Sequence, residues 1–187
     1  MVGISDRSVF INDIGCNVGQ FFKGLVEAKL PFQVDYLGLD ISTTYLRHAL
    51  RQFPNAVFEL HDIATARPRR RSDITVCSAT LEHVDDWRVA LQNILNSTTR
   101  TAYVRTFLGS TFEREFFVKG ASKPYPIQQF LFTDVGRIAT DNEFSMRVIR
   151  DNATDSIPQY LGCGITRTQY ICCFERVVGV LPVSSIT

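Results

Sequence analysis

One short segment, residues 10–22 (FINDIGCNVGQFF), constrains the fold of this chain more than any other. In it an apolar run ends at Asp13, glycines follow at positions 15 and 19, and an amphipathic stretch begins at Gln20. A tight turn between a strand and a helix requires glycine, because glycine adopts left-handed dihedral angles without a steric penalty. The segment therefore predicts a buried strand, a glycine turn and a helix, which is a building unit of open α/β sheets.

Strand-like and helix-like segments alternate over residues 8–108, as they do in a parallel sheet with helices on both faces. We predict strands at residues 8–13, 34–40, 56–60, 72–78 and 101–108, and helices at residues 20–29, 42–52 and 85–96. After an irregular, aromatic-rich segment we predict a helix at residues 134–139 and two final strands at 144–150 and 168–176. The fold class is α/β.

Length and composition favour one globular domain. The chain has 187 residues, of which 45% are apolar and 21% are charged, and these fractions are typical of folded proteins. No linker rich in Gly, Ser or Pro divides the chain. We therefore expect a single domain over residues 1–187.

Charge and hydropathy exclude several classes of protein. The 20 Lys and Arg residues balance 19 Asp and Glu residues, whereas a protein that coats nucleic acid needs a large basic excess. No apolar run approaches the roughly 20 residues of a membrane helix, and no signal peptide is visible. We expect a soluble, cytoplasmic protein. The five cysteines are irregularly spaced and only three histidines are present, so we expect neither a disulfide framework nor a metal site.

The glycine turn restricts the ligand. A dinucleotide site requires G-x-G-x-x-G, but Asn17 and Gln20 occupy the second and third glycine positions. The carboxylate of Asp13 would repel a pyrophosphate and is suited to a ligand that carries an ammonium group. The turn therefore favours an amino-acid-like ligand over a nicotinamide or flavin cofactor.

The segment D-I-G-C-N-V-G resembles motif I of the class I S-adenosylmethionine-dependent methyltransferases, whose usual form is acid-x-G-x-G-x-G. Asp40 resembles the acid that accepts hydrogen bonds from the ribose hydroxyls in that family. Asp62, with Ile63 beside it, resembles the acid next to the adenine amino group. Residues 78–84 (SATLEHV) resemble the end of the family's fourth strand, and the four motifs together extend over residues 8–108.

The resemblance implies a Rossmann-like, doubly wound sheet of seven strands, mostly parallel, with an antiparallel last strand. It implies S-adenosylmethionine as cofactor, S-adenosylhomocysteine as product, and methyl transfer to an oxygen, nitrogen or carbon nucleophile of a small molecule such as a sugar or secondary metabolite. The expected cofactor-binding residues are Asp13, Gly15, Cys16, Asn17, Gly19, Asp40, Ile41, Asp62, Ile63 and Ser78. Residues 8–108 would bind the cofactor, residues 109–133 would cover the acceptor, and residues 134–187 would supply the last strands and the tail.

The sequence departs from the family pattern in two ways. Asn17 replaces the middle glycine of motif I, although a small polar residue tolerates left-handed dihedral angles better than most. Few residues precede the first strand, whereas family members commonly carry N-terminal helices over the cofactor. A homo-oligomer or a larger assembly would then supply a lid over the cofactor. The alternative function is that of a non-catalytic binding protein or partner subunit with the same fold.

Three further features each allow two interpretations. His83 either acts as a general base, or caps its loop or bonds to the backbone. Residues 109–133 form either an aromatic cover with Arg114, Lys119 and Lys123, or a helical crossover packed on the sheet. Arg105 is expected to pair with a motif carboxylate or with the acceptor, because arginine is rarely buried alone.

A basic cluster, Arg67 and Arg69 to Arg71 around Pro68, stands apart from these motifs. A contact with nucleic acid is one interpretation. The neutral total charge and the absence of interleaved aromatic residues favour a solvated loop.

Overall fold

A mixed β-sheet forms the centre of the protein, whose structure, a computed structural model, describes residues 8–117, 124–153, 159–160 and 166–177. The strands are β1 (Val9–Ile14), β2 (Val34–Asp40), β3 (Val57–Leu60), β4 (Ser72–Ser78), β5 (Thr98–Gly109), β6 (Glu113–Phe117), β7 (Tyr125–Leu131), β8 (Phe144–Arg150), β9 (Gln159–Tyr160), β10 (Thr166–Arg167) and β11 (Gln169–Arg176). The helices are α1 (Gln20–Glu27), α2 (Thr43–Gln52), α3 (Trp87–Asn96) and α4 (Phe132–Asp141). One 3-10 turn spans Leu81–His83.

The strand order confirms the predicted fold class. The path through the sheet is β3-β2-β1-β4-β5-β11-β8, and the first five strands run parallel. The last strand, β11, is antiparallel to both β5 and β8. The strand order reverses at β1, which pairs with β2 on one side and β4 on the other. In open α/β sheets ligands bind outside the carboxyl ends of the strands at such a reversal.

The prediction of seven strands is wrong, because the central sheet has nine strands within the described part of the chain. Residues 109–133 were expected to be an irregular cover or a helical crossover, but they contain the hairpin β6–β7. Strand β6 pairs antiparallel with β7, and β7 pairs parallel with β5 at Leu108 and Gly109. Gln128 in β7 is fully buried, where its amide donates to the Val84 carbonyl at 2.6 Å. A buried glutamine hides the apolar pattern of a strand, so the sequence did not reveal this element.

Side chains cap the starts of two helices. The Ser42 hydroxyl accepts from the Tyr45 N–H at 3.3 Å, and the Asp86 carboxylate accepts from the Val89 N–H at 3.3 Å. These bonds satisfy backbone donors that have no partner inside the helix. None of the helices in the described part of the chain is long and apolar enough to cross a membrane.

The largest apolar core lies between the sheet and the helices α3 and α4. The indole ring of Trp87 stacks on the ring of Phe130 in β7, with 4.4 Å between the ring centroids. Both side chains are almost fully buried. Four cysteines, Cys16, Cys77, Cys172 and Cys173, are free and buried, whereas Cys163 lies outside the described residues. The β6–β7 hairpin thus contributes to the core and does not merely lie over it.

We expect Phe130→Ala to lower the free energy of unfolding by about 3 to 5 kcal/mol, because it leaves a cavity against Trp87. Urea unfolding followed by circular dichroism measures the change. The matched control is Phe116→Ala in β6, whose side chain is 59% exposed and whose loss should change stability by less than about 0.5 kcal/mol. Equal effects of the two substitutions would contradict the placement of β7 in the core.

Candidate functional site

The carboxyl end of β1 leads into a turn with three residues in the left-handed region. The φ angles are 72° at Gly15, 52° at Asn17 and 85° at Gly19. The N–H groups of Gly15 and Cys16 both donate to the Leu39 carbonyl, at 2.7 and 3.1 Å, and so tie the turn to β2. The expectation that Asn17 accommodates a left-handed conformation in place of glycine is confirmed.

Gly15 is also required by close packing against the loop after β4. A Cβ atom at Gly15 would lie 2.1 Å from the Thr80 hydroxyl oxygen, far inside van der Waals contact. The Thr80 hydroxyl donates to the carbonyl of Ser78, whose side chain is exposed. The loops after β1 and β4 therefore come together, as expected of motif I and the segment 78–84.

Asp40 connects this turn to the start of α2. Its Oδ2 atom accepts from the Asn17 N–H at 2.9 Å, and its Oδ1 atom accepts from the Ser42 N–H at 2.8 Å. Each carboxylate oxygen has a second lone pair, so Asp40 can hold the turn and still accept bonds from ligand hydroxyls. The adjacent Ile41 side chain is 69% exposed.

Asp13, at the end of β1, is a buried carboxyl group. Its side chain is 3% exposed, and its Oδ2 atom accepts from the Tyr36 hydroxyl at 2.7 Å. Burial raises the pKa of Asp13 to about 6; the Tyr36 bond opposes the rise and the charge of Asp40 adds to it. Among the residues in the described ranges, Asp13 has no salt-bridge partner. A ligand with a positive charge would stabilise its ionised form.

Asp62 and Ile63 follow the end of β3, the strand next to β2. The Asp62 carboxylate accepts from the Ala64 N–H at 2.9 Å and shapes a turn. The His61 N–H donates to the Asp40 carbonyl at 3.0 Å, which brings this loop beside the end of β2. Ile63 is 5% exposed and packs in the core. The structure thus places Asp13, Asp40 and Asp62 at the ends of three adjacent strands.

His83 bonds to the backbone, which is one of the two alternatives that its sequence position left open, while a role as general base stays a prediction. Its Nδ1 atom lies 2.9 Å from the Pro126 carbonyl oxygen, and its ring meets the Tyr125 ring edge-on at 5.4 Å between centroids. Since a carbonyl oxygen only accepts, Nδ1 carries the proton, and the neutral ring has its lone pair on Nε2. The side chain is exposed. His83 therefore bonds to the backbone and is also able to accept a proton.

Sequence reasoning missed Glu82, the neighbour of His83. Its side chain is 1% exposed, and its Oε2 atom accepts from the Thr106 hydroxyl on β5 at 3.1 Å. Burial raises the pKa of Glu82, a rise opposed by its own backbone N–H and by the His83 charge. Glu82 fixes the 3-10 turn to the sheet, so His83 lies on a supported loop. No pattern in the sequence indicates that this glutamate turns inward.

Arg105 pairs with a residue outside the motifs. Its Nε atom lies 2.6 Å from the Asp151 carboxylate, and its guanidinium group also donates to Gln169. Asp151 lies outside the motifs, but the charge of Arg105 also opposes the rise in the pKa of Glu82 in segment 78–84, and contact with an acceptor stays a prediction. The ion pair ties β5 to the chain that follows β8 and precedes β11.

The aromatic segment divides between core and surface. Phe112 and Phe116 are 41% and 59% exposed, whereas Phe130 is buried. Lys119 and Lys123 lie outside the described residues. The exposed rings belong to the β6–β7 hairpin, whose Pro126 carbonyl contacts His83.

We expect Gly15→Ala to lower the free energy of unfolding by about 2 kcal/mol or more, through a strained φ angle and the clash with Thr80. The control is Gly24→Ala in α1, where a Cβ atom meets nothing within 4 Å. Alanine there should stabilise the protein by about 0.5 to 1 kcal/mol, because glycine weakens a helix. Denaturant titration of both variants measures these changes. An unchanged free energy of unfolding in Gly15→Ala would contradict the strained, closely packed turn.

Comparison with known proteins agrees with this geometry. Residues 12–104 match the family model of a methyltransferase domain. Uncharacterized methyltransferases of Mycobacterium tuberculosis and Mycobacterium bovis are 37% identical to the chain over 86 residues, or 44% of this chain. The match spans 41% of the length of these curated relatives.

Solved structures share the fold at low sequence identity. Magnesium protoporphyrin IX methyltransferase from Synechocystis, solved with bound S-adenosylmethionine, aligns with a TM-score of 0.65 at 18% identity over 92% of this chain and 72% of its own. An S-adenosylmethionine-dependent methyltransferase from Mesorhizobium loti gives 0.64 at 13% identity, over 93% and 94% of the two chains. CalS10, an amino pentose methyltransferase from Micromonospora echinaspora, gives 0.60 at 10% identity, over 90% and 84%. The match of residues 12–104 to a methyltransferase domain and the shared fold, with the motif I turn and the three strand-end carboxylates, support a class I S-adenosylmethionine-dependent methyltransferase domain in this chain.

Proposed function

We propose that this protein binds S-adenosylmethionine at the ends of β1, β2 and β3 and transfers its methyl group to an oxygen, nitrogen or carbon nucleophile of a small molecule. The observation that carries the proposal is the buried Asp13 carboxyl group, which has no salt-bridge partner among the described residues and lies below a turn held by Asp40. A ligand with an ammonium group at one end and vicinal hydroxyls further along suits this arrangement.

Each part of the cofactor has a proposed partner. Asp13 and the turn of Gly15, Cys16, Asn17 and Gly19 would hold the methionine part. Asp40 would accept hydrogen bonds from the ribose hydroxyls, and Asp62 would face the adenine amino group. The exposed Ile41 side chain and Ile63 would contact the adenine ring, and Ser78 would lie beside the methionine part.

The residues of this chain contribute mainly by positioning. The bound cofactor supplies an electrophilic methyl group on a sulfonium, and S-adenosylhomocysteine is the product. Holding the nucleophile in line with the methyl carbon supplies much of the acceleration in such a transfer. His83 has its Nε2 lone pair exposed and its Nδ1 proton bound to Pro126, so it would accept the proton that the nucleophile releases.

A small acceptor is supported by the names of two structural neighbours, a magnesium protoporphyrin IX methyltransferase and an amino pentose methyltransferase. In this chain the β6–β7 hairpin would line the acceptor side, since it contacts His83 and carries the exposed rings of Phe112 and Phe116. A sugar or a secondary metabolite is the proposed class of acceptor.

Cofactor binding should release a proton from Asp13. The pKa of Asp13 is raised to about 6, so at pH 5.5 the empty site holds this carboxyl largely protonated. An ammonium group beside it favours the carboxylate, so binding should strengthen as the pH rises from 5 to 7. Calorimetric titration with S-adenosylhomocysteine at pH 5.5, in buffers of different ionisation enthalpy, should show a release of roughly 0.5 to 0.8 proton.

Two controls isolate the carboxyl group. Asp13→Asn should bind S-adenosylhomocysteine without this proton release, and adenosine, which lacks the ammonium group, should release no proton from the unmodified protein. The same proton release from Asp13→Asn would assign the proton to another group and contradict the role of Asp13.

His83→Ala should lower turnover about a hundredfold while the affinity for S-adenosylmethionine is unchanged. The acceptor for this assay comes from a panel of hydroxylated and amino-substituted small molecules screened for S-adenosylhomocysteine production. His83→Asn is the matched variant, because its amide can still donate to the Pro126 carbonyl but cannot act as a base. Full turnover in His83→Asn would remove His83 from the proton transfer.

A further inference from the structure

The connection from β3 to β4, residues 61–71, is built differently from the neighbouring connections. Helices α1, α2 and α3 occupy the connections β1–β2, β2–β3 and β4–β5, but the structure has no helix between β3 and β4. Since β4 pairs with β1, this connection must cross β2 and β1. Where a helix would otherwise cover the strands, a groove of about 640 Å³ lies between the sheet and the connecting loop. This volume is within the range of small-molecule sites, roughly 300 to 1,000 Å³.

The floor of the groove is apolar. Phe10 of β1, Leu37 and Leu39 of β2, and Val57 and Leu60 of β3 line it. Leu37 and Val57 are direct neighbours across the β2–β3 pair. Val57 is 54% exposed, which is unusual for a side chain on a sheet face that is otherwise covered. Leu60 pairs with Asp40, so its side chain lies on the opposite face, and Phe10, Leu37 and Leu39 are already buried. Val57 is therefore the apolar surface that a ligand would remove from water.

The rim of the groove is basic and held in place by the loop. Arg67, Arg69 and Arg70 line it and are exposed, whereas Pro68 between them is buried. The Asn12 amide donates to the Arg70 carbonyl at 3.1 Å, which anchors the end of the loop on β1. The buried proline and this bond fix the positions of the arginines in the groove.

Two of these arginines have no compensating charge in the described part of the chain. Arg70 lies 3.7 Å from the Asp35 carboxylate, and its guanidinium carbon lies 3.7 Å from the centroid of the Phe10 ring. Neither Arg67 nor Arg69 forms a salt bridge with a described residue. Glu59 and His61 also line the groove, and the His61 Nε2 atom lies 2.9 Å from the Ala66 carbonyl. The rim as a whole carries more positive than negative charge.

We propose that this groove binds an amphiphilic anion, with a phosphate or carboxylate head group between Arg67 and Arg69 and an alkyl chain over Val57. Guanidinium groups bind phosphate and carboxylate oxygens through paired hydrogen bonds, and the apolar floor accounts for the chain. A nucleic acid fits less well, because no aromatic side chain at the rim is available to stack on a base. The proposal does not depend on methyl transfer.

Calorimetric titration of the intact protein with octyl phosphate, 1-octanol and inorganic phosphate tests the proposal without any cofactor present. Octyl phosphate should bind at least tenfold more tightly than either of the other probes, since only it contacts both floor and rim. Equal affinities for octyl phosphate and inorganic phosphate would overturn the role of the floor. Binding to phosphatidylglycerol vesicles without binding to soluble octyl phosphate would overturn the proposal in favour of a membrane surface.

Variants locate the binding in the groove. Arg67→Ala with Arg69→Ala should weaken octyl phosphate binding roughly tenfold, whereas the charge-matched control Arg51→Ala with Arg100→Ala should leave it unchanged. Val57→Asn, at an exposed position, should weaken octyl phosphate binding and leave the affinity for inorganic phosphate unchanged. An equal loss of octyl phosphate affinity in the two double variants would show a non-specific effect of net charge and overturn the proposed site.

Discussion

The hydrogen bond from the Asn17 N–H to the Asp40 carboxylate, 2.9 Å long, is the contact on which the proposed site depends. It joins the turn after β1 to the end of β2 and holds Asn17 in a left-handed conformation in place of a glycine. The other oxygen of the same carboxylate binds the N–H of Ser42, which begins α2. One side chain therefore sets the position of the glycine turn relative to the second strand and the second helix. Without it, the turn would keep only the two backbone bonds from Gly15 and Cys16 to the Leu39 carbonyl as its ties to β2.

Below this bond, Asp13 places a carboxyl group where burial disfavours its charge. The Tyr36 hydroxyl compensates only in part, and the pKa stays raised to about 6. Above that pH the ionised carboxylate destabilises the empty protein, because the folded state binds the proton more tightly than the unfolded state does. A cationic ligand removes this unfavourable contribution, so the same group opposes folding without ligand and favours binding. A group that lowers the stability of the empty protein in this way is typical of functional sites.

The sequence predicted the part of the fold that follows simple periodicity. The apolar run of β1, the glycine turn and the acids that end β1 and β2 are local features, and the structure has each of them. The β6–β7 hairpin was not predicted, because buried Gln128 and Gln129 interrupt its apolar pattern and their partners are distant in the chain. Glu82 and Asp151 were missed for the same reason, since their partners Thr106 and Arg105 are 24 and 46 positions away. The local pattern of apolar and polar residues predicts where strands end, but tertiary contacts determine which polar side chains are buried.

A crystal structure of the protein with S-adenosylhomocysteine tests the central claim most directly. We predict that the ligand lies across the turn of residues 15–19, with its ammonium group beside Asp13, its ribose hydroxyls on Asp40 and its adenine next to Asp62. A ligand bound elsewhere, or a ribose that makes no contact with Asp40, would contradict the convergence of the three carboxyl groups on one adenosyl site.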